Sequence, residues 1–564
     1  MKTTIDAIVV GLGAAGGLVA AELARAGQRV VALEKGAFYK PGDFDTKFDE
    51  IRYYCRSAIV PRMATDPVTW RAGEHQDALI LPWASNAIGL GNPFEIPPSI
   101  GTGGGTMHWG AASFRFREAD FRMQSTIEKR FGKSALPEYN TLADWPISYA
   151  DLEPYYDRFE WELGVAGLAG NVKNEVLPGG NPFEAPRTRG YPMPPLPRHS
   201  TEKSFTGACR RLGFHPFPTP VAIATVPYKG RPPCTNCGFC HGYPCHTGSK
   251  ITTHEIIEAA VAETGNLDVR PHARVFTVDR AKDGRVKGIS YFERDGKVVS
   301  LEAPVVILAA YAFENARLLL VSGINGNGEV GKHLMLHNYG WFNGLMPERT
   351  NPFMGSLQAS SVIDDYSSEL IPDNDQGVLW GSPINTWTGD LQPIEVIHGL
   401  PQHVPKWGLG FKHWIADNYL RLTRFYSQHS SLPGRAAYCD LDPDVKDPFG
   451  QPALRITHEW TDYDRRSVEY FMTIKRQIAK EMGIVEHWED SPTPHYHVTV
   501  HDAGVHRMGD DPKTSVTSKF GEVHECRGLY AAGGGQFPTL AAYNPTETIM
   551  AMAFLTADHI LGRT

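Results

Sequence analysis

The sequence predicts an α/β fold, α+β overall, in which a discontinuous Rossmann-like unit is interrupted by a unit built on an antiparallel sheet. Three observations carry this expectation. A strand, glycine turn, helix and second strand open the chain between Ile5 and Glu34. Strand, turn and helix patterns return at Val305–Leu320 and Gly528–Leu561. Between Gly331 and His495 that alternation fades, and aromatics and prolines become frequent. The expected division gives 1–150, 200–330 and 496–564 to the nucleotide unit and 151–199 and 331–495 to a substrate unit.

A chain of 564 residues exceeds what one compact core usually holds, so more than one unit is expected. With 42% hydrophobic and 21% charged residues, the composition is that of an ordinary globular protein. The formal charge is −8 and no basic stripe appears, which excludes a nucleic-acid binder of the usual kind. No apolar run is long enough to span a bilayer. Met1-Lys2-Thr3-Thr4 leads straight into a strand pattern with no secretory segment before it, so either the protein stays inside the cell or a partner carries it out.

Ile5–Val10 is a nearly continuous apolar run, as in a strand of a parallel sheet covered on both faces. Gly11-Leu12-Gly13-Ala14-Ala15-Gly16 follows, then helix-forming residues from Leu18 to Ala26, a stop at Gly27, and a second strand at Arg29–Leu33. In such a unit Gly11 permits the tight turn, Gly13 admits a pyrophosphate, and Gly16 lets the helix pack on the strand. The phosphates meet the positive end of the helix, and Glu34 is placed to accept from a ribose hydroxyl. The motif alone does not separate FAD from NAD.

Gly101 to Trp109 is dense in glycine, which suggests positive φ or close backbone approach. Trp145–Ser148 reads as a loop entering a helix over Asp151–Tyr156, and Pro178–Pro197 as an extended excursion. Val269–Tyr291 reads as a strand pair turning at Asp283-Gly284. Near the end come His501 to Gly509, then Gly533-Gly534-Gly535, then Asn544-Pro545-Thr546. Asn544 suits an N-cap and Pro545 the first position of a helix that runs through Ile560.

Four of eight cysteines fall in one run, Cys234-x-x-Cys237-x-x-Cys240-x4-Cys245, with Pro244 before the last. The spacing suits metal binding rather than a disulfide framework, and an iron–sulfur cluster first among metals. Zinc is a second reading. Cys237 to His241 also matches a c-type haem attachment pattern, which would leave Cys234 and Cys245 idle. Cys55, Cys209, Cys439 and Cys526 are scattered, as small buried hydrophobes would be.

Together these motifs resemble the glucose–methanol–choline (GMC) oxidoreductase family of flavoproteins. The matching residues are Gly11 to Gly16 with Glu34, the Gly103 to Trp109 loop, Asp440 to Asp447, His501 to Gly509, and Asn544-Pro545-Thr546. His108-Trp109 and the cysteine run point to the flavoprotein-subunit branch of gluconate 2-dehydrogenase and other sugar dehydrogenases. The resemblance implies FAD held by Gly11, Gly13, Gly16, Glu34, Gly104, Gly105, His108, Val275, Gly534, Asn544 and Thr546. It implies His501 as catalytic base and Asn544 as its partner, with His506 a competing candidate; Val505 stands where the family often has threonine. His108 either bonds covalently to the flavin or packs beneath it. The implied reaction is oxidation of a CH–OH group of a sugar, sugar acid or glycoside. Electrons would leave through a three- or four-iron cluster on the four cysteines to a cytochrome c-type or quinone acceptor. A small partner subunit would carry the export signal, placing the enzyme in the periplasm and at the membrane through its partners; the cytoplasm is the alternative. A pyranose-type oxidase and a non-redox flavin lyase are the competing activities.

Overall fold

The computed structural model describes residues 4–39, 43, 66–71, 73–74, 79–81, 100–389, 391–490 and 501–564, so Cys55 lies outside the described residues. A five-stranded parallel sheet gathers both ends and the middle of the chain. Its order is Leu529–Ala531, Val305–Leu308, Ala7–Val10, Val30–Leu33 and Leu267–Arg270. The strands read as unbroken apolar runs because both faces are covered. Ile8, Val10, Val306 and Leu308 pack with Val275, Ile289 and Phe313 on one side. Ala7, Val9 and Ile307 pack with Leu18, Ile257 and Phe554 on the other.

The first helix is Ala14–Arg25, so it begins earlier than the composition of Leu18–Ala26 indicates, directly after the glycine turn. The strand pair expected over Val269–Tyr291 divides. Leu267–Arg270 joins the parallel sheet, whereas Arg274–Arg280 and Val286–Phe292 form an antiparallel sheet with Val298–Glu302. Ser148 caps the helix Tyr149–Phe159 by accepting from the Asp151 N–H at 3.3 Å. Residues 178–197 carry neither helix nor strand.

The antiparallel sheet of the interleaved region has six strands, in the order Glu486–Asp490, His337–Leu345, Leu422–Ser430, Ile384–Thr386, Ser361–Ile363 and Phe217–Pro218. One face is apolar. Phe342 stacks on Phe425 at 4.7 Å, and both pack with Phe205, Phe471 and Met472 from the helices Ser200–Arg211 and Asp462–Met482. The opposite face, set by the two-residue period of a strand, carries Tyr339, Trp341, Tyr426 and Gln428 toward a cavity.

The last helix, Thr546–Ile560, is anchored from behind by buried charge. Glu160 bridges Arg115 at 2.8 Å and Arg187 at 2.6 Å, and the Glu160 and Arg187 side chains are 0% exposed. Tyr156 hydrogen-bonds Thr548 in the first turn of that helix at 2.8 Å. Burial and the neighbouring Glu160 hold the Glu547 carboxyl well above the usual range, so it stays neutral beside the network. Glu160→Ala leaves two guanidinium groups without this partner in a dry interior, and should destabilise the fold by about 3–5 kcal/mol. Chemical denaturation of the variant measures that loss.

Candidate active site

A cavity of about 370 Å³ lies between the carboxyl ends of the parallel strands and the polar-aromatic face of the six-stranded sheet. That volume is in the range of small-molecule sites, at the usual position for a ligand in an open parallel sheet.

At the nucleotide end the backbone is bare. Gly11 has φ +88°, and a β-carbon there would stand 2.6 Å from Ala310 Cα, so the turn closes only with glycine. A β-carbon on Gly16 would stand 2.0 Å from the Gly11 carbonyl oxygen. Gly13 is different: only Gly104 Cα lies within reach, at 3.9 Å, leaving open space over the start of the helix. No side chain caps that helix, so its first N–H groups remain available to an anion. Glu34 receives the N–H groups of Leu12 at 3.1 Å, Gly36 at 2.9 Å and Gly101 at 3.0 Å. It therefore ties three loops together. A carboxylate has about four acceptor sites, which leaves capacity for a ribose hydroxyl.

Gly105, His108, Val275, Gly534 and Thr546 all line the cavity. So does Asp502, whose two carboxyl oxygens are buried without a hydrogen-bond partner. Burial pushes this carboxyl up to about 8, making it a neutral acid that both donates and accepts. An orphaned acid beside Gly533 and Gly534, together with the bare glycine cradle, fits the polyol and pyrophosphate of FAD.

At the reactive end, His501 and Asn544 meet. The Asn544 Nδ2 lies 3.4 Å from His501 Nε2. Asn544 is not the helix cap expected of it. The cap is Pro545 and the helix starts at Thr546, because the Asn544 amide turns toward the histidine. Behind His501 stands His337, with 2.8 Å between their Nδ1 atoms. His337 Nε2 lies 2.7 Å from the Ala541 carbonyl, which only accepts, so the proton of His337 is on Nε2. Burial pushes His337 down to about 3, so the ring is neutral and its Nδ1 is an acceptor. His501 must then donate from Nδ1. The Tyr339 hydroxyl agrees: it donates to Gln428 at 3.1 Å and can accept from the same His501 Nδ1 at 3.3 Å. One backbone carbonyl thus fixes two tautomers in series, leaving the His501 Nε2 lone pair to accept from the Asn544 amide until a substrate hydroxyl takes that place. Burial, with His337 and His241 nearby, holds His501 well below the usual imidazole range.

His506 does not line the cavity. It is buried, it packs on Gly535, and its Nε2 lies 3.4 Å from the Asn315 amide. His108 and His241 both line the cavity. Burial, then the charges of Lys250 and His241, push His108 down to about 3, leaving a neutral imidazole.

His241 belongs to the cysteine loop, which is clamped to the His108 loop. Gly242 N–H donates to the His108 carbonyl at 2.7 Å, and buried Lys250 donates to the carbonyls of Trp109, Cys240 and Tyr243, each at 2.8 Å. The four-cysteine metal centre expected from the spacing is not assembled. Among the described residues no group of three or more His, Cys, Asp or Glu side chains is placed to hold a metal. The thiols have other partners instead: Ser356 for Cys240 at 3.4 Å, Thr247 for Cys245 at 3.3 Å, and the Asn236 N–H for Cys234 at 3.4 Å. Burial pushes Cys240 up to about 12 and raises Cys234 and Cys237, so these three are thiols rather than thiolates. Burial opposes ionisation of Cys245 too, but Lys250 and Thr247 outweigh it and lower that group.

The local motifs assign no role at this site to His337, Tyr339, His241 or Asp502. His337-Asn338-Tyr339-Gly340-Trp341 carries a ring at every second residue, a strand signal that points three rings at one face. His241 closes the Cys237–His241 pattern and Asp502 follows His501, but nothing in either stretch marks these two as cavity residues.

Comparison with known proteins gives the family. Models described as GMC oxidoreductase match residues 223–339 and 435–553. Gluconate 2-dehydrogenase flavoprotein of Pantoea cypripedii is 31% identical over 99% of this chain and 93% of that protein. Fructose dehydrogenase large subunit of Gluconobacter japonicus is 27% identical over 99% and 98%. The 2-methyl-1,2-propanediol dehydrogenase of Mycolicibacterium austroafricanum is 28% identical over 99% and 95%. Among solved structures, pyridoxine 4-oxidase of Mesorbium loti covers 99% of each chain with a TM-score of 0.62 at 16% identity, a likeness of fold. Formate oxidase of Aspergillus oryzae RIB40 covers 99% of this chain and 98% of its own, also at 0.62, with 15% identity. The chain belongs to the GMC oxidoreductase family and is an FAD-dependent oxidoreductase acting on CH–OH donors.

Proposed function

We propose that the protein is a dehydrogenase that oxidises a CH–OH group of a sugar, sugar acid or glycoside by hydride transfer to FAD. The observation that carries this is the pairing of a lone-pair-bearing His501 Nε2 with the Asn544 amide at the inner end of the cavity. Bound FAD supplies the two-electron acceptor. The substrate hydroxyl sits between the two side chains, Asn544 orienting its oxygen. His501 Nε2 takes the hydroxyl proton while Nδ1 keeps its own against His337. The carbinol hydrogen leaves with its electron pair, and the C–O bond becomes a carbonyl.

In this reading FAD belongs to 1–150, 200–330 and 496–564, and substrate contacts to 151–199 and 331–495. The finer part of the proposal is an iron–sulfur cluster at Cys234, Cys237, Cys240 and Cys245 that passes electrons to a cytochrome c-type or quinone acceptor. The cysteine spacing and the contact between this loop and the His108 loop support it. To ligate iron the thiols must turn from their present partners and lose their protons. Fructose dehydrogenase large subunit is a relative named as one subunit of a larger enzyme, which supports a partner subunit here; that the partner is small and carries the export signal, and that the enzyme acts in the periplasm at the membrane, is the part of the proposal that rests on the family resemblance. Among the described residues no helix is long and apolar enough to cross a membrane.

Anaerobic titration of the purified holoprotein with sugars, sugar acids, glycosides and simple alcohols tests the activity. Bleaching of the flavin by at least one carbohydrate is expected; bleaching by no alcohol at all overturns the reading. The same preparation should hold about three or four irons with acid-labile sulfide per chain. Zinc, or no metal, in a fully active preparation removes the relay. A yellow acid precipitate would assign covalent flavin to His108, to be checked by its loss in His108→Ala.

A further inference from the structure

The segment that delivers Asn544 is tied to the interleaved region at three successive residues. The Ala541 carbonyl accepts from His337 Nε2 at 2.7 Å, the Ala542 carbonyl accepts from Gln428 Nε2 at 3.3 Å, and the Tyr543 hydroxyl donates to Asp364 Oδ2 at 2.9 Å. His337 and Gln428 belong to strands of the six-stranded sheet, and Asp364 directly follows its strand Ser361–Ile363. Upstream, the Thr539 hydroxyl accepts from Trp145 Nε1 at 2.8 Å and donates to the Asp120 carbonyl at 3.2 Å. Downstream, Pro545 restricts the backbone of Asn544, and Thr548 ties the last helix to Tyr156 at 2.8 Å. With its far side fixed in this way, the Asn544 amide is aimed by where Tyr543 is held.

Of the three ties, the one between Tyr543 and Asp364 stands next to Asn544 and is made by side chains alone. Both side chains are buried, and the Tyr543 ring packs on Phe114 at 5.6 Å. The Asp364 carboxyl accepts from Tyr543, from Asn181 Nδ2 at 2.5 Å and from Ser367 Oγ at 2.9 Å. Three donors converging on one group suit a carboxylate, which only accepts. Burial raises this carboxyl, and the Arg117 guanidinium, which lines the same small cavity as Asp364 and Tyr543, opposes the rise. A buried acid is costly to desolvate. The fold keeps this one where the Asn544 segment, the six-stranded sheet and the excursion over 178–197 meet.

We propose that Asp364 is a positioning residue: through Tyr543 it holds the Asn544 amide against His501 Nε2, and Asn181 fixes Asp364 in turn. Its effect on rate rests on the CH–OH dehydrogenase reading. The test is anaerobic stopped-flow reduction of the holoprotein with gluconate, glucose and glycerol as probes. Tyr543→Phe, which removes one hydroxyl, should slow the limiting rate of flavin reduction about tenfold. KM should change less than about threefold, with flavin content unchanged. Added to Asn544→Ala, the same substitution should cost nothing further, because the group it positions is gone. Asn181→Ala, one bond further out, should slow the rate about threefold and should also be silent beside Asn544→Ala. It decides by the same cycle should Tyr543→Phe lose its flavin. In the substrate-free holoprotein, the ¹⁵N signal of His501 Nε2 should move in Tyr543→Phe toward its position in Asn544→Ala. A wild-type limiting rate in Tyr543→Phe, or a loss that persists in full beside Asn544→Ala, overturns the inference and leaves the dehydrogenase reading standing. Reduction of the wild-type flavin by none of the probes, nor by any other alcohol, overturns that reading instead. The ¹⁵N signal then decides alone, and an unmoved signal in Tyr543→Phe removes the positioning role.

Discussion

His501→Ala should slow reduction of the flavin by substrate about 10²–10⁴-fold, the range expected when a positioned base is lost. The flavin should remain bound, since His501 sits at the reactive end of the cavity and not at the glycine cradle. His337→Leu should cost less, about tenfold. It removes the acceptor that holds the His501 proton on Nδ1 but leaves the Tyr339 oxygen as a weaker one. The pH profile separates these roles. The folded protein holds His501 well below its usual range, chiefly through burial. Its base form therefore survives as pH falls through about 6.5, where an ordinary histidine becomes protonated. The acid limb of single-turnover reduction should accordingly appear only below that value. An inflection at the ordinary value, or an unchanged rate in His501→Ala, would remove this imidazole from the mechanism.

Gly16→Ala should abolish flavin retention and weaken the fold. The added carbon would sit 2.0 Å from the Gly11 carbonyl oxygen and 2.9 Å from Ala309 Cβ, contacts against backbone and core that cannot rotate away. The helix Ala14–Arg25 must lift from the first strand, which opens the anion site at its N-terminus and strains a core packed on both faces. A loss of about 3 kcal/mol is reasonable for overpacking of this severity. Gly13→Ala is the control. Its β-carbon meets only Gly104 Cα at 3.9 Å, so the apoprotein should keep its stability while the methyl group intrudes on the space left for pyrophosphate. Flavin content per chain and thermal unfolding of both apoproteins measure the contrast. Equal stability and full flavin in Gly16→Ala would contradict the packing argument.

Local pattern carried the nucleotide end. A glycine turn between two apolar strands is written in consecutive residues, and the geometry at Gly11 and Gly16 follows from the absence of a β-carbon. The fading of helix–strand alternation after Gly331, with its aromatics and prolines, also reported the antiparallel sheet, because composition and element order are carried by neighbours in the chain. The exact bounds moved where a competing partner intervened, as when Asn544 gave up the cap position to face His501.

The cysteine run shows the opposite case. Its spacing is a local fact, but whether four sulfurs converge on one point depends on what else lies near each of them, and Ser356, 116 residues from Cys240, is one such neighbour. The protonation state of the His501 imidazole is likewise non-local. It descends from the Ala541 carbonyl through His337 to His501, a contact between residues 164 positions apart. A motif can name a histidine, but the side on which its proton sits depends on the acceptor that folding brings against it. The aromatic lining of the cavity belongs to the same class: Trp341 and Tyr426 come from separate strands, and they meet because cross-strand pairing sets one beside the other.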